Sequence, residues 1–419
     1  MTIRRHPDDF QVVEILTDDR RASLRTSWDP ACRYAVYVLT KASTTTPDAV
    51  SRLARTLRVP PAAVSYAGLK DKHAQTVQHV SVLLPAGRRA GEFPDTLDAD
   101  RWSAHRLAWS ANPIDASAIT GNRFTIMVRD LASETCAEMD RRAAILSGAT
   151  GDKARPTTEH GGAADPWFIN YFGSQRFGSA RHGEGFVARS LLRGDFEEAL
   201  RLAVATPARK DSGRTRVFTR LAASRWGDWK ALASELPRCP ERAPFEALAA
   251  GSDHRRAFST LPAFLQSMYV EAFQSHLWNR SAHALAVTIA GGAERCLRSD
   301  DAYGEMLFPP WSASARGPWR SLILPLIGPG TTLEEPWANE VRATLARENL
   351  VIDQLRVPGL KRPFFGEAPR PLFAQAAGFA VSDTAPDTDS RSSRRYSRRL
   401  EFTLPRGSYA TVVLRALGQ

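Results

Sequence analysis

The order of local patterns along this 419-residue chain predicts an α+β fold: a mostly antiparallel sheet with a mainly helical segment inserted into it. Three observations carry that prediction. Short period-two stretches dominate the first 150 residues, the middle from about 184 to 350 reads as helical, and strand patterns return at the end. The chain therefore reads as one discontinuous domain, residues 1–160 and 361–419, interrupted by a second domain at 161–360.

The elements follow in order. Phe10, Val12 and Glu14 alternate as residues of a strand do, and residues 33–39 (RYAVYVL) read as a Tyr- and Val-rich strand. Thr46 as N-cap and Pro47 at the first position open a helix whose Val50, Leu53, Ala54 and Leu57 share one face. Residues 76–84 and 122–128 again alternate apolar and polar side chains. A helix is expected from a Ser133 cap to a Ser147-Gly148 stop. The Gly-, Pro- and Thr-rich stretch 148–166 reads as a linker or exposed loop. Long helices are expected at 184–205 and 262–289. Two final strands, 399–404 and 408–415, are joined by the turn Pro405-Arg406-Gly407. Residues 383–399 are polar, with five arginines close together, and read as a solvated loop or a flexible RNA clamp. No internal repeat is visible.

Composition narrows the function classes. A hydrophobic share of 43% with 24% charged residues excludes a disordered or collagenous chain. No run of eighteen apolar residues predicts a membrane span, and no apolar segment follows the N-terminal arginines as a secretory signal would require. Cys32, Cys136, Cys239 and Cys296 are scattered, which fits reduced thiols in a cytoplasm and argues against structural zinc. The nine histidines form no HExxH, so no metal is expected and a metal hydrolase is a distant reading.

Fifty-six basic against forty-five acidic residues give a net charge of +11, nearly all of the basic residues being arginine. Arginine's planar fork suits phosphates and stacking on bases. A nucleic-acid partner and a merely solubilising charge both remain open on this ground.

Four stretches stand out as candidates for chemistry. In Tyr66-Ala67-Gly68-Leu69-Lys70-Asp71-Lys72-His73 a lone aspartate lies between two lysines in a glycine turn that leads into a strand. Flanking cations favour an ionised Asp71 that can act as nucleophile or base, although Asp, Lys and Gly also make ordinary surface turns. His73 and His79 read as structural or RNA-facing. Gly121-Asn122-Arg123-Phe124 puts an amide and an aromatic two apart, hence on one strand face. Such a pair can bond a base edge and stack on its ring, or it can be a turn former beside a core residue. Asn170 to Gly178 (NYFGSQRFG) packs two Phe-Gly pairs around amides and Arg176. The alternating Phe10 to Glu14 stretch is the fourth.

Together these segments resemble the TruD family of tRNA pseudouridine synthases. The resemblance runs through FQVVE at 10–14, YAGLKDKHAQTVQ at 66–78, GNRFT at 121–125, NYFGSQRFG at 170–178, AFQSHLWNR at 272–280 and FTLPRGSYATVVLR at 402–415. Residues 185–260 and 285–360 match loosely. Within 17–32, and at His276 and Trp278, this chain departs from the family's usual residues. Those departures leave the residues of the chemistry unchanged.

The resemblance implies a pseudouridine-synthase core at 1–160 and 361–419, a family-specific inserted domain, and a cofactor-free isomerase acting on tRNA. Its target is expected to be uridine 13 of the D arm, and the protein a monomer with no membrane partner. It implies Asp71 as the catalytic carboxylate, with Lys70 and Lys72 beside it. Phe124 takes the active-site aromatic position and Asn122 the companion amide. Phe10 and Glu14 fall in a motif near the same site. Asn170, Gln175 and Arg176 are further substrate-binding candidates, from a segment expected where the two domains meet. The rival readings are a family member acting on another RNA or position, and an RNA-binding protein without catalysis.

Overall fold

The computed structural model describes residues 3, 5–148, 165–180, 183–208, 211–314, 319–390, 392 and 394–419. Most of the expected linker at 148–166 lies outside these residues. The chain forms two compact units, Met1–Phe168 with Ala374–Gln419, and Ile169–Phe373.

In chain order the strands of the first unit are β1 (Phe10–Leu16), β2 (Tyr34–Lys41), β3 (Val64–Tyr66), β4 (Gln75–Leu83), β5 (Thr96–Ala99), β6 (Trp102–Ser110) and β7 (Ile119–Leu131). Its helices so far are α1 (Asp18–Ala22), α2 (Thr46–Thr56) and α3 (Ser133–Ser147). The chain leaves on β8 (Trp167–Ile169). The second unit holds α4 (Val187–Leu192), α5 (Phe196–Val204), α6 (Gly213–Ser224), α7 (Trp229–Glu235), α8 (Ala243–Ala249), α9 (His254–Ser259) and α10 (Ala263–Ala290). A hairpin of β9 (Leu297–Asp301) and β10 (Gly304–Phe308), then α11 (Trp311–Ser314) and α12 (Ala338–Arg347), complete it. The chain returns on β11 (Phe373–Gln375), which pairs with β8, and ends with β12 (Ala377–Val381), β13 (Ala385–Pro386), β14 (Tyr396–Pro405) and α13 (Ala410–Ala416).

The strand order β12-β14-β7-β1-β4-β2-β6-β5 builds one large sheet, with β13 added to β14 and β3 to β4. Every pairing in it is antiparallel except β1 with β4. The mixture of helices with this mostly antiparallel sheet is the α+β class expected. Ala49, Val50, Leu53 and Ala54 of α2 bury against Tyr37 and Leu39 of β2 and Val80 and Val82 of β4. The helix begins one residue before the expected position: Thr45 is the N-cap, its side chain accepting the Asp48 N–H, and Thr46 is the first helical residue. Similarly, Ala132 rather than Ser133 caps α3, which stops at a left-handed Gly148 as expected.

Three expectations about elements need correction. Residues 410–416 form a helix where a β-branched run predicted a strand. Ala410, Val412, Val413, Leu414 and Ala416 are all buried, so packing around the helix overrides strand propensity. The single helix expected over 184–205 is two, broken at Gly194 (φ 74°) and restarted by an Asp195 cap. Finally, the described residues of 383–399 are mostly exposed, as a solvated loop would be, but the segment is tied to the sheet at several points rather than free along its length. Ala385 and Pro386 pair with β14, Asp387 is buried, and Arg398, 5% exposed, donates to the Cys136 carbonyl and to Asp140. Arg395 and Arg399 pair with Asp130 and Glu401.

In the second unit the expected long helix at 262–289 is α10, nearly all of one length and buried on several sides, which packs against α4 and α12.

Candidate functional site

The loop 67–74, which carries Asp71, runs from β3 to β4. Both β3 and β1 pair along one edge of β4. β1 takes Gln75 to Val77 and β3 takes Val80 to Val82, which leaves Gln78 and His79 without a strand on that edge. A backbone N–H in such a notch must find another acceptor. Glu14 supplies it: Oε2 accepts the His79 main-chain N–H at 2.8 Å and lies 3.4 Å from His79 Nδ1. Its other oxygen, Oε1, pairs with Lys70 Nζ at 2.8 Å. Burial pushes the Glu14 carboxyl upward, but the His79 hydrogen bonds and the Lys70 charge outweigh it and hold Glu14 below the ordinary Glu value.

The loop itself is pinned at two consecutive residues. Thr46 Oγ1 accepts the Lys70 N–H at 3.1 Å and donates to Gln78 Oε1 at 3.0 Å. Lys41 Nζ donates to the Asp71 carbonyl at 2.9 Å and to the Thr44 carbonyl at 3.0 Å. Strand alternation along β2 turns Ala35, Tyr37, Leu39 and Lys41 to the buried face, so this lysine is 1% exposed. Burial pushes its ammonium down to about 8, with Asp71 opposing and Lys70 reinforcing the shift. Asp71 is half-buried and its Oδ1 accepts the His73 N–H at 2.9 Å. Leu69, Lys72 and His73 are exposed around it.

Beside this loop, the register of β1 with β7 sets Asn122 opposite Glu14 and Phe124 opposite Val12. Asn122 and Phe124 thus share a face, as their spacing predicted. The Asn122 Oδ1 atom is buried and has no hydrogen-bond partner among the described residues. Gly121 is required by close approach, because a Cβ there would collide with the Leu404 carbonyl of β14. Phe124 is 7% exposed, with Phe10 edge-on at 6.2 Å and Phe402 stacked at 5.6 Å. A cavity of about 500 Å³, lined by Val13, Val77, Leu107 and Arg123, reaches Glu14 and His79 from the opposite face of the sheet; Asp71, Lys41, Asn122 and Phe124 do not line it.

The structure therefore gathers Asp71, Lys70, Glu14 and Asn122 through direct contact or register, with Phe124 and Phe10 on the same part of the sheet. Lys70 pairs with Glu14, and Lys72 is exposed; Lys41 is a buried cation bonded to the Asp71 main-chain carbonyl. Sequence reasoning missed that residue. Its signal was a charged side chain at the inward position of an apolar alternating strand.

The remaining candidates lie in the second unit. Asn170 is buried and accepts from Arg370 through both its carbonyl and its Oδ1. Arg176 donates to Glu271 at 2.7 Å and to Ser275 at 3.1 Å, and Gln175 is exposed. Among the described residues no group of three His, Cys, Asp or Glu side chains is arranged to hold a metal ion, and no helix is long and apolar enough to cross a membrane.

Comparison with known proteins agrees with the pattern of motifs. The family model for tRNA pseudouridine synthase D (TruD) matches residues 1–290 and 314–417. The tRNA pseudouridine synthase D of Aquifex aeolicus is 28% identical over 418 residues, covering 99% of this chain and 97% of its own. A Methanococcus maripaludis protein assigned as tRNA pseudouridine synthase D 1 is 24% identical, covering 99% and 98%. In fold, the chain matches the crystal structure of a Methanosarcina mazei protein assigned as TruD with a TM-score of 0.65 at 23% identity, over 99% of this chain and 92% of that one. With a family model spanning nearly its whole length and this sheet beneath the motifs, the chain belongs to the TruD family of tRNA pseudouridine synthases, which are isomerases.

Proposed function

We propose that this protein isomerises uridine 13 in the D arm of tRNA to pseudouridine, with Asp71 as the catalytic carboxylate. The observation that supports this most directly is the pinning of the Asp71 main chain by the buried Lys41 ammonium, with the residue as a whole half-buried on its loop. A reactive group is best held by a rigid scaffold that leaves its reacting atoms reachable.

The reaction breaks the C1′–N1 bond of the nucleoside, turns the detached uracil and joins its C5 to C1′. The C5 proton is lost and N1 gains one, so no electron acceptor is needed. Asp71 serves as nucleophile at C1′ or as base at C2′. A uridine stacked inside folded tRNA must first be extruded, at a cost of about a few kcal/mol. Asn122, on the Phe124 face of β7, would accept an N–H from the uracil edge once its buried, unpartnered Oδ1 turns outward as the base enters. Phe124, backed by Phe402, offers an aromatic wall for the ring. Arginines on the surface of this basic chain would hold phosphates, and affinity would then fall as salt rises.

The test is Asp71→Asn assayed on unmodified tRNA transcripts, with pseudouridine mapped by carbodiimide-dependent primer-extension stops. Binding is expected to persist and product to vanish. Full activity in this variant would sink the assignment of Asp71, and a stop at a different uridine would sink the assignment of position 13.

A further inference from the structure

We propose that Lys41 is the positioning residue of the catalytic loop, holding the Asp71 main chain in its working place through a buried, charged hydrogen bond. The proposal rests on the assignment of Asp71 made above. Lys41 is the last residue of β2, and its register neighbours are Thr76 on β4 and Trp102 on β6, both uncharged. The two carbonyls it bonds belong to different segments: Thr44 to the turn that opens α2, and Asp71 to the loop between β3 and β4. One ammonium thus ties the loop to the helix start. A methionine could fill the same space among the apolar side chains of β2, so the two carbonyl bonds are what the charge contributes.

The ionisable groups that face the ammonium are Asp71, which favours its charge, and Lys70, which opposes it; Thr46 at the start of α2 is neutral. Burial lowers Lys41 to about 8, so it loses its proton within a range accessible to assay. Above that pH the clamp becomes a neutral amine, and the buried positive charge coupled to Asp71 disappears. Turnover should fall there while tRNA binding, which depends on surface phosphate contacts, should not.

The experiment compares full-length wild type, Lys41→Arg, Lys41→Met and Asp71→Asn on an unmodified tRNA transcript, measuring kcat and KM from about pH 6 to about pH 10. Wild-type kcat is expected to decline with a midpoint near 8. Lys41→Arg, charged throughout, should show no decline in that range. Lys41→Met should lose about 30-fold in kcat with KM within about threefold. Wild-type kcat in Lys41→Met, or an unchanged alkaline decline in Lys41→Arg, would overturn the proposal. Should Lys41→Met fail to fold, the comparison of wild type with Lys41→Arg decides alone. An inactive Asp71→Asn beside a fully active Lys41→Met removes only the role of Lys41. An active Asp71→Asn removes the catalytic assignment and this proposal with it.

Discussion

Glu14 Oε2 accepts the main-chain N–H of His79 at 2.8 Å, so a side chain from β1 completes the edge of β4 where neither β1 nor β3 reaches. The same carboxylate neutralises Lys70, next in sequence to Asp71. A structural repair of the sheet and the support of the loop are therefore one residue's work.

Removing it should cost both. Glu14→Ala leaves a half-buried ammonium and a backbone donor without their partner, a loss of about 2–4 kcal/mol in urea unfolding at neutral pH. Glu14→Gln keeps an acceptor for His79 but not the charge for Lys70, and should lose less stability while turnover still drops. Because Glu14 is held below 4.5, its contribution is complete above that pH and disappears as pH falls through its lowered value. Equal stability of wild type and Glu14→Ala at pH 7 would refute this account.

Phe124 can be tested by separating volume from aromaticity. Phe124→Ala should destabilise by about 3–5 kcal/mol, since it opens a cavity between Phe10 and Phe402. Phe124→Leu conserves most of the volume and should cost about 1.5 kcal/mol or less. If the ring faces the extruded uracil, Phe124→Leu still turns over far more slowly than wild type. Unchanged kinetics in that variant would make Phe124 a core residue only.

A third prediction concerns stability in the second unit. Glu348 receives a bidentate Arg189 at 2.6 and 2.7 Å and lies 3.5 Å from His276 Nε2. Burial alone would raise its carboxyl, but the His276 and Arg189 hydrogen bonds dominate and bring it down to about 2. A depressed carboxyl stabilises the fold above its unfolded value and loses that effect as pH drops. Glu348→Gln should therefore lose about 2–3 kcal/mol at pH 7, and the difference from wild type should shrink between pH 4.5 and about 2. A difference independent of pH, followed by circular dichroism, would reject the mechanism.

Local pattern made much of this architecture legible. Period-two alternation located β4 and β7, Tyr- and Val-rich composition located β2, and the N-cap signal with one-faced apolar spacing located α2; α10, buried on several sides, stood out by its length alone. The run Tyr409 to Leu414 misled because β-branched residues fit a helix well once every side is enclosed. At the site, Glu14, Lys70 and Asp71 stand out in their own motifs, but nothing local tells that Lys70 turns to Glu14 and that Lys41 holds the Asp71 main chain. Those choices depend on where β1, β2 and β4 are brought together, and on a notch that exists only in the assembled sheet.

The split of the sheet around the second unit bears on how the protein is made. During synthesis β7 emerges early, yet its partner β14 follows only after all of Ile169–Phe373 has left the ribosome. Until then the nascent sheet presents an open strand edge, the kind of surface that sticks to other chains. The interrupted order of the chain thus leaves the edge of β7 uncovered throughout synthesis of the second unit.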